Sequence, residues 1–147
     1  MVASATPIHD TTVYLRDLLL NNVTDPSSAG RPSDSKFCMT SFPQRTVHYP
    51  LITIEQINFR DVQLGISSQQ SRIEIGIEIN IWSKSTKQRD QLADSVYNVI
   101  RTNQLSGTSA LSEGLFDMKI TNIFNLDEEG KEGIHRKVIE LKYTFLT

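Results

Sequence analysis

The clearest alternation of apolar and polar positions runs from Arg72 to Trp82, RIEIGIEINIW. Ile73, Ile75, Ile77, Ile79 and Ile81 are interleaved with Arg72, Glu74, Gly76, Glu78 and Asn80. This period of two gives an extended chain one apolar and one polar face. The pattern predicts a half-buried strand reaching roughly 36 Å, long enough to span a whole sheet. Directly after it, Ser85 precedes Gln88 by three residues, the capping-box spacing that starts a helix. Leu92, Val96, Val99, Ile100 and Asn103 then share one helical face, bordered by Ala93, and Lys87, Arg89, Asp90 and Asp94 lie towards water. That helix is expected to end around Arg101 to Gln104 and to cover the isoleucine face.

The same periodicities place the remaining elements. Asp10, Thr11 and Thr12 offer N-cap oxygens, and Tyr14, Leu15, Leu18, Leu19 and Asn22 follow at helical spacing. Thr24 to Ser35, TDPSSAGRPSDS, is a flexible Ser/Pro-rich loop. Lys36 to Phe42 reads as a short strand and Val47 to Ile57 as a stronger one, with Pro50 near its start. Asn58 to Ser71 reads either as the arm of a long hairpin, its tip standing away from the body, or as an ordinary surface loop. Met118 to Leu126 and Arg136 to Leu146 are the closing strands, joined by DEEGKEG. In the last of them Ile139, Leu141, Tyr143 and Phe145 alternate with Val138, Glu140, Lys142 and Thr144. The expected fold is α+β: a mostly antiparallel sheet of about four to five strands, two helices on one face, order α-β-β-α-β-β, in one domain over 1–147.

Composition narrows the possible partners only slightly. With 15 basic and 17 acidic residues the net charge is -2, so no global field draws the chain to nucleic acid or to an anionic membrane. The one cysteine, Cys38, excludes an intrachain disulfide and reads as a small packed hydrophobe. No apolar run approaches the ~20 residues of a membrane span, which leads us to expect a soluble, unexported protein.

Candidate chemistry is sparse. His9, His48 and His135 fall in separate elements without metal-ligand spacing, and the nucleophile-elbow, phosphate-loop and dinucleotide signatures are all missing. The acidic run Asp127, Glu128, Glu129, Lys131, Glu132 lacks the ligand alternation of a calcium loop and reads as a solvated hairpin tip. We therefore expect no catalytic residues, no metal and no cofactor. Trp82 reads as an interface anchor or as a sheet-edge residue covering the helix start. Glu74 and Glu78 are expected to pair across the sheet with lysines such as Lys137 and Lys142.

Taken in order, several elements together resemble the tail terminator, or tail completion, proteins of long-tailed bacteriophages. They are the N-terminal helix, the strand with PLITIE (Pro50 to Glu55), the hairpin arm, the alternating strand ending in Ile79 to Trp82, the immediate helix with QRDQLADSVYNVI (Gln88 to Ile100), and the two closing strands. The resemblance covers about His48 to Phe145 and rests on the order of elements and on the strand-to-helix junction at Ile79 to Leu92. It implies a non-enzymatic hexameric ring at the head-tail junction of a virion, assembled in the host cytoplasm. Such a ring caps the tail tube protein, ends its polymerisation and receives the head-completion or connector protein, with DNA present only as the genome passing through the channel.

On that implication, contacts with neighbouring rings fall at the hairpin tips. These are the arm Asn58 to Gln70, with Phe59, Arg60, Gln69 and Gln70, and the loop Asp127 to Gly133, with Asp127, Glu128, Glu129 and Lys131; Trp82 is a further candidate contact. A head-closure or neck protein of the same virion has a comparable size and element order. A non-viral α+β adaptor that binds protein as a monomer or dimer is a further reading, and a small enzyme would need a concave pocket with converging polar groups.

Overall fold

The computed structural model describes residues 7–27, 29–31, 36–40, 48–63, 65–66, 71–106, 117–126 and 133–146. Its elements are α1 (Pro7–Asn22), β1 (Cys38–Met39), β2 (Leu51–Gln63), β3 (Ser71–Ser83), α2 (Thr86–Ser106), β4 (Asp117–Asn125) and β5 (His135–Leu146). The fold is α+β, with a five-stranded sheet in the order β1-β2-β3-β5-β4. Every neighbouring pair is antiparallel except β1 with β2.

The isoleucine strand β3 is central, paired along its length with β2 on one side and β5 on the other. Its period of two puts Ile73, Ile75, Ile77, Ile79 and Ile81 on the helix-covered face, beside Ile52 and Ile54 of β2 and Ile139, Leu141 and Tyr143 of β5. From above, α2 contributes Leu92, Ala93, Val96 and Ile100, and α1 contributes Leu15 and Leu19, to one continuous core. Burial of these side chains is the main favourable contribution to folding.

Helix α1 begins at Pro7, ahead of the Asp10 to Thr12 caps read from the sequence. Proline is preorganised for a first helical turn because its φ is already fixed near helical values. Thr11 lies inside the helix, fully buried one turn before Leu15. The start of α2 carries the expected Ser85 cap, with the Gln88 amide donating to Ser85 Oγ at 3.4 Å. The reciprocal half differs from a simple capping box: Ser83 Oγ accepts from the Ser85 amide at 3.1 Å and donates to Gln88 Oε1 at 2.7 Å. Ser83 thereby links the end of β3 to the first turn of α2.

Arg89, read as a solvent-facing residue, is 6% exposed instead. Its guanidinium meets Asp90 at 3.0 Å, and Asp90 also receives Lys137 at 2.9 Å. Lys137 stands opposite Ile81 and hence on the helix side of the sheet, so it pairs with α2 and is not a partner for Glu78. The short strand foreseen over Lys36 to Phe42 is reduced to Cys38–Met39, paired with Ile52 and Thr53; residues 41–47 lie outside the described ones.

Within the loop after α1, Arg31 is an anchor. Its side chain is 6% exposed and donates to Asp25 at 2.6 and 3.0 Å, to the His48 carbonyl at 2.8 Å and to the Pro50 carbonyl, while stacking 5.3 Å from the Phe37 ring. Burial pushes the Asp25 carboxyl upwards, but the Arg31 and Ser27 hydrogen bonds and the Arg31 charge outweigh it, and the pKa is lowered.

Candidate interaction surface

Strand β2 changes character half-way along. Its first residues, Leu51 to Ile54, are fully or almost fully buried, and Glu55 to Gln63 are exposed except for a half-buried Val62. The change follows from topology, since β1 flanks β2 only at Ile52 and Thr53. Past that point, among the described residues, β2 has no strand on its outer side.

The register against β3 slips between Gln56 and Asn58, so that one extra residue, Ile57, is accommodated in a β-bulge. Gly76 stands opposite Asn58, and its amide donates to Asn58 Oδ1 at 3.0 Å. A Cβ at Gly76 would lie 2.5 Å from that same oxygen, so the alternating strand carries glycine here to let the Asn58 amide close over the backbone.

The hairpin arm expected from Asn58 onward is therefore a true continuation of the sheet, paired as far as Gln63 with Ser71. It is not a separate two-stranded finger, because β5 flanks β3 down to Arg72. Of the candidate contact residues, Phe59 stands opposite Ile75 on the helix side of the sheet and remains 41% exposed. Arg60 is exposed on the other side, 3.9 Å from Glu74. Glu74 also meets Arg72 at 3.2 Å and Lys142 at 3.3 Å. The hydrogen bond from Lys142 leads the causes that lower the Glu74 pKa, reinforced by the three cationic charges against a smaller opposing effect of burial.

Trp82 is not at a sheet edge. It lies in the central strand on the face away from the helices, 7% exposed, with Nε1 donating to Thr53 Oγ1 at 3.3 Å and the Arg136 guanidinium 4.8 Å from its ring. Arg136 in turn donates to Asn80 Oδ1 at 2.7 Å and to Glu78 Oε1 at 2.9 Å. Glu78 thus has an arginine partner where a lysine was expected, because Arg136 stands opposite Trp82 and faces the same side as Glu78. Gln69, Gln70, Asp127, Glu128, Glu129 and Lys131 lie outside the described residues.

At the opposite border of the sheet, among the described residues, β4 pairs only with β5, and a second register shift falls between Ile120 and Asn122. Ile123 faces the helix side opposite Ile139 and is 41% exposed; Leu126, just past the strand, is 43% exposed. Ile57 in the β2 bulge and Ile66 at the hairpin tip are further exposed apolar residues, Ile66 completely so. None of these four stood out in the sequence. The available signal was the break of alternation at Thr121 in MKITNIFN and at Ile57 in LITIEQINF.

A scan against protein-family models matches none, and a search of curated proteins also returns no match. Among the described residues no group of three His, Cys, Asp or Glu could hold a metal ion. Also among them, no helix is long and apolar enough to cross a membrane.

Proposed function

We propose that this chain is a structural subunit of a bacteriophage tail, a tail terminator that forms a hexameric ring on the last ring of tail-tube subunits, ends tube polymerisation and receives the head connector. The observation that carries this reading is the combination of two sheet borders that, among the described residues, no further strand covers past Thr53 and along β4, with a long β2–β3 hairpin exposed on both faces of its outer strand. A ring subunit needs two different lateral surfaces, one for each neighbour, plus a surface directed along the ring axis. The two edges supply the first pair, and the hairpin tip around Ile66 supplies an axial contact.

The distribution of charge supports the same use. Acids on β3 are neutralised by cations on β2, β3 and β5, as in the Glu74 cluster and the Arg136–Glu78 pair. Subunits bearing such a surface pack side by side without strong mutual repulsion.

The test is to add purified protein to tail tubes growing in vitro and to image the products by negative stain. Six-fold rings at tube ends, with elongation arrested, are the expected outcome. Tubes that lengthen at the control rate with bare ends exclude the terminator role. In the same assay, replacing Asp127, Glu128 and Glu129 by serine is expected to leave tube capping intact and impair joining to heads; normal joining would remove the acidic loop from the docking surface.

A further inference from the structure

We propose that the face of the sheet turned away from the helices is a contact between two copies of this chain. The copies meet face to face about a two-fold axis lying across the strands, the acidic row of each covering the basic row of the other. The contact uses a face that the ring reading leaves unassigned and does not depend on that reading.

The registers arrange this face in rows. Glu55, Glu78 and Glu140 stand directly opposite one another on β2, β3 and β5. One step along the strands, Asn58, Gly76, Lys142 and Lys119 form the next row across β2, β3, β5 and β4. In both outer strands a bulge makes this possible. An extra residue, Ile57 on β2 and Thr121 on β4, lets positions three apart share a face that strict alternation would deny to one of them. Glu55 with Asn58 and Lys119 with Asn122 are the pairs so placed.

Within one subunit these rows are unfavourable, since like charges directly opposite on neighbouring strands are destabilising. Arg136 neutralises Glu78, and Lys142 serves Glu74. Glu55, Glu140 and Lys119 have no ion-pair partner among the described residues, and solvent reaches all three.

A second copy supplies the missing charges. Rotation about an axis running across the strands, between the two rows, keeps each strand over its own counterpart and exchanges the rows. Glu140 of each copy then faces Lys142 of the other. Glu55 faces Asn58, whose Oδ1 is held by the Gly76 amide and whose Nδ2 is left to donate. Gly76, with no side chain, lies beneath Glu78 of the other copy and leaves it room. Four strands about 4.8 Å apart and four rows, from Thr53 to Arg60, cover roughly 500 Å² on each copy. The pair buries roughly 1,000 Å², the lower limit of a specific interface.

Light scattering on the wild type, on Glu140→Lys, on Lys142→Glu, on the double variant carrying both changes and on an equimolar mixture of the two single variants tests this. Each single reversal sets like charges together twice per pair and should weaken the contact about a hundredfold. The wild type is therefore expected at twice the mass of either single variant: dimer against monomer, or a double ring against a single one where lateral contacts also form. The double variant restores opposite charges at both contacts. The mixture does so too, because one chain then carries two lysines where the other carries two glutamates. Both are expected to regain the full mass, which also shows that the single variants are folded.

A wild type with the same mass as its single variants, whether monomers up to about 1 mM or rings, overturns the face contact. The ring reading then stands or falls on tube capping alone. Recovery by the mixture or by the double variant establishes the exchange of rows, and failure of both overturns it.

Discussion

The closure of Asn58 over Gly76 yields a prediction in which one substitution changes sign with its partner. In the wild type, Gly76→Ala places a Cβ 2.5 Å from Asn58 Oδ1 and 2.9 Å from its Cγ, so the amide must swing away. The 3.0 Å hydrogen bond is then lost and the buried Gly76 amide is left without its acceptor. Leaving a buried donor unsatisfied costs about 1–3 kcal/mol. Against that, alanine is better than glycine inside a strand by about 0.5–1 kcal/mol, as its unfolded chain has less freedom to lose. The net expectation is a loss of about 1 kcal/mol.

Asn58→Ala alone removes the same acceptor and should also lose about 1–2 kcal/mol. In that background the space above Gly76 is open, and adding Gly76→Ala should gain about 0.5–1 kcal/mol. The cycle therefore predicts a coupling of about 1.5 kcal/mol between two residues in contact. Urea unfolding of the four proteins, followed by Trp82 fluorescence at one low protein concentration, measures it. Additivity within about 0.5 kcal/mol, or a stabilised Gly76→Ala single variant, would refute the reasoning.

Other substitutions test the core and the loop anchor. Tyr143 is fully buried on β5 and its hydroxyl has no hydrogen-bond partner among the described residues, with burial, aided by Tyr14, raising its pKa well above normal. Tyr143→Phe removes an unsatisfied polar atom without changing shape, so stability should rise by about 1 kcal/mol, or about 3 °C in Tm by calorimetry; a lower Tm contradicts this. Asp25 has a lowered pKa in the folded chain, so the stability it provides is present above the ordinary carboxylate pKa and disappears as pH falls through the folded value. Asp25→Asn should therefore lose about 2 kcal/mol at pH 7, and the gap to wild type should close under acid; an equal gap at pH 7 and pH 2 would exclude the Arg31 pair as its source. Burial raises the Cys38 thiol to about 12. Native protein at pH 8 should thus react with a thiol reagent only as fast as it unfolds, and rapid labelling would show that the β1 region opens locally.

Much of the fold was legible in local pattern. Ile73 to Ile81 could only be satisfied by a strand with one buried face, and the repeat Leu92, Val96, Ile100 only by a helix lying on it. Period and capping chemistry are properties of neighbours in sequence, so the Ser85 start of α2 was readable as well. Side-chain facing failed where a partner from a distant strand decided it. Lys137 turns towards Asp90 and Arg136 towards Glu78 because the register of β5 against β3 sets which of two adjacent cations faces the helices.

The candidate site shows the same division. The sequence marked Phe59 and Arg60 as residues of an arm outside the core, and the structure places both within the paired length of β2, exposed there. It gave no way to see that β5 inserts between β3 and β4, which makes β4 a border strand and leaves Ile123 half uncovered. Nor did it separate an anchor from a structural tryptophan at Trp82, whose ring is enclosed by Thr53 from β2 and Arg136 from β5. Periodicity along a chain specifies which residues seek cover, through the fixed geometry of one strand or helix. Strand order and register, set by contacts between residues far apart in sequence, decide which of them receive it and which stay exposed.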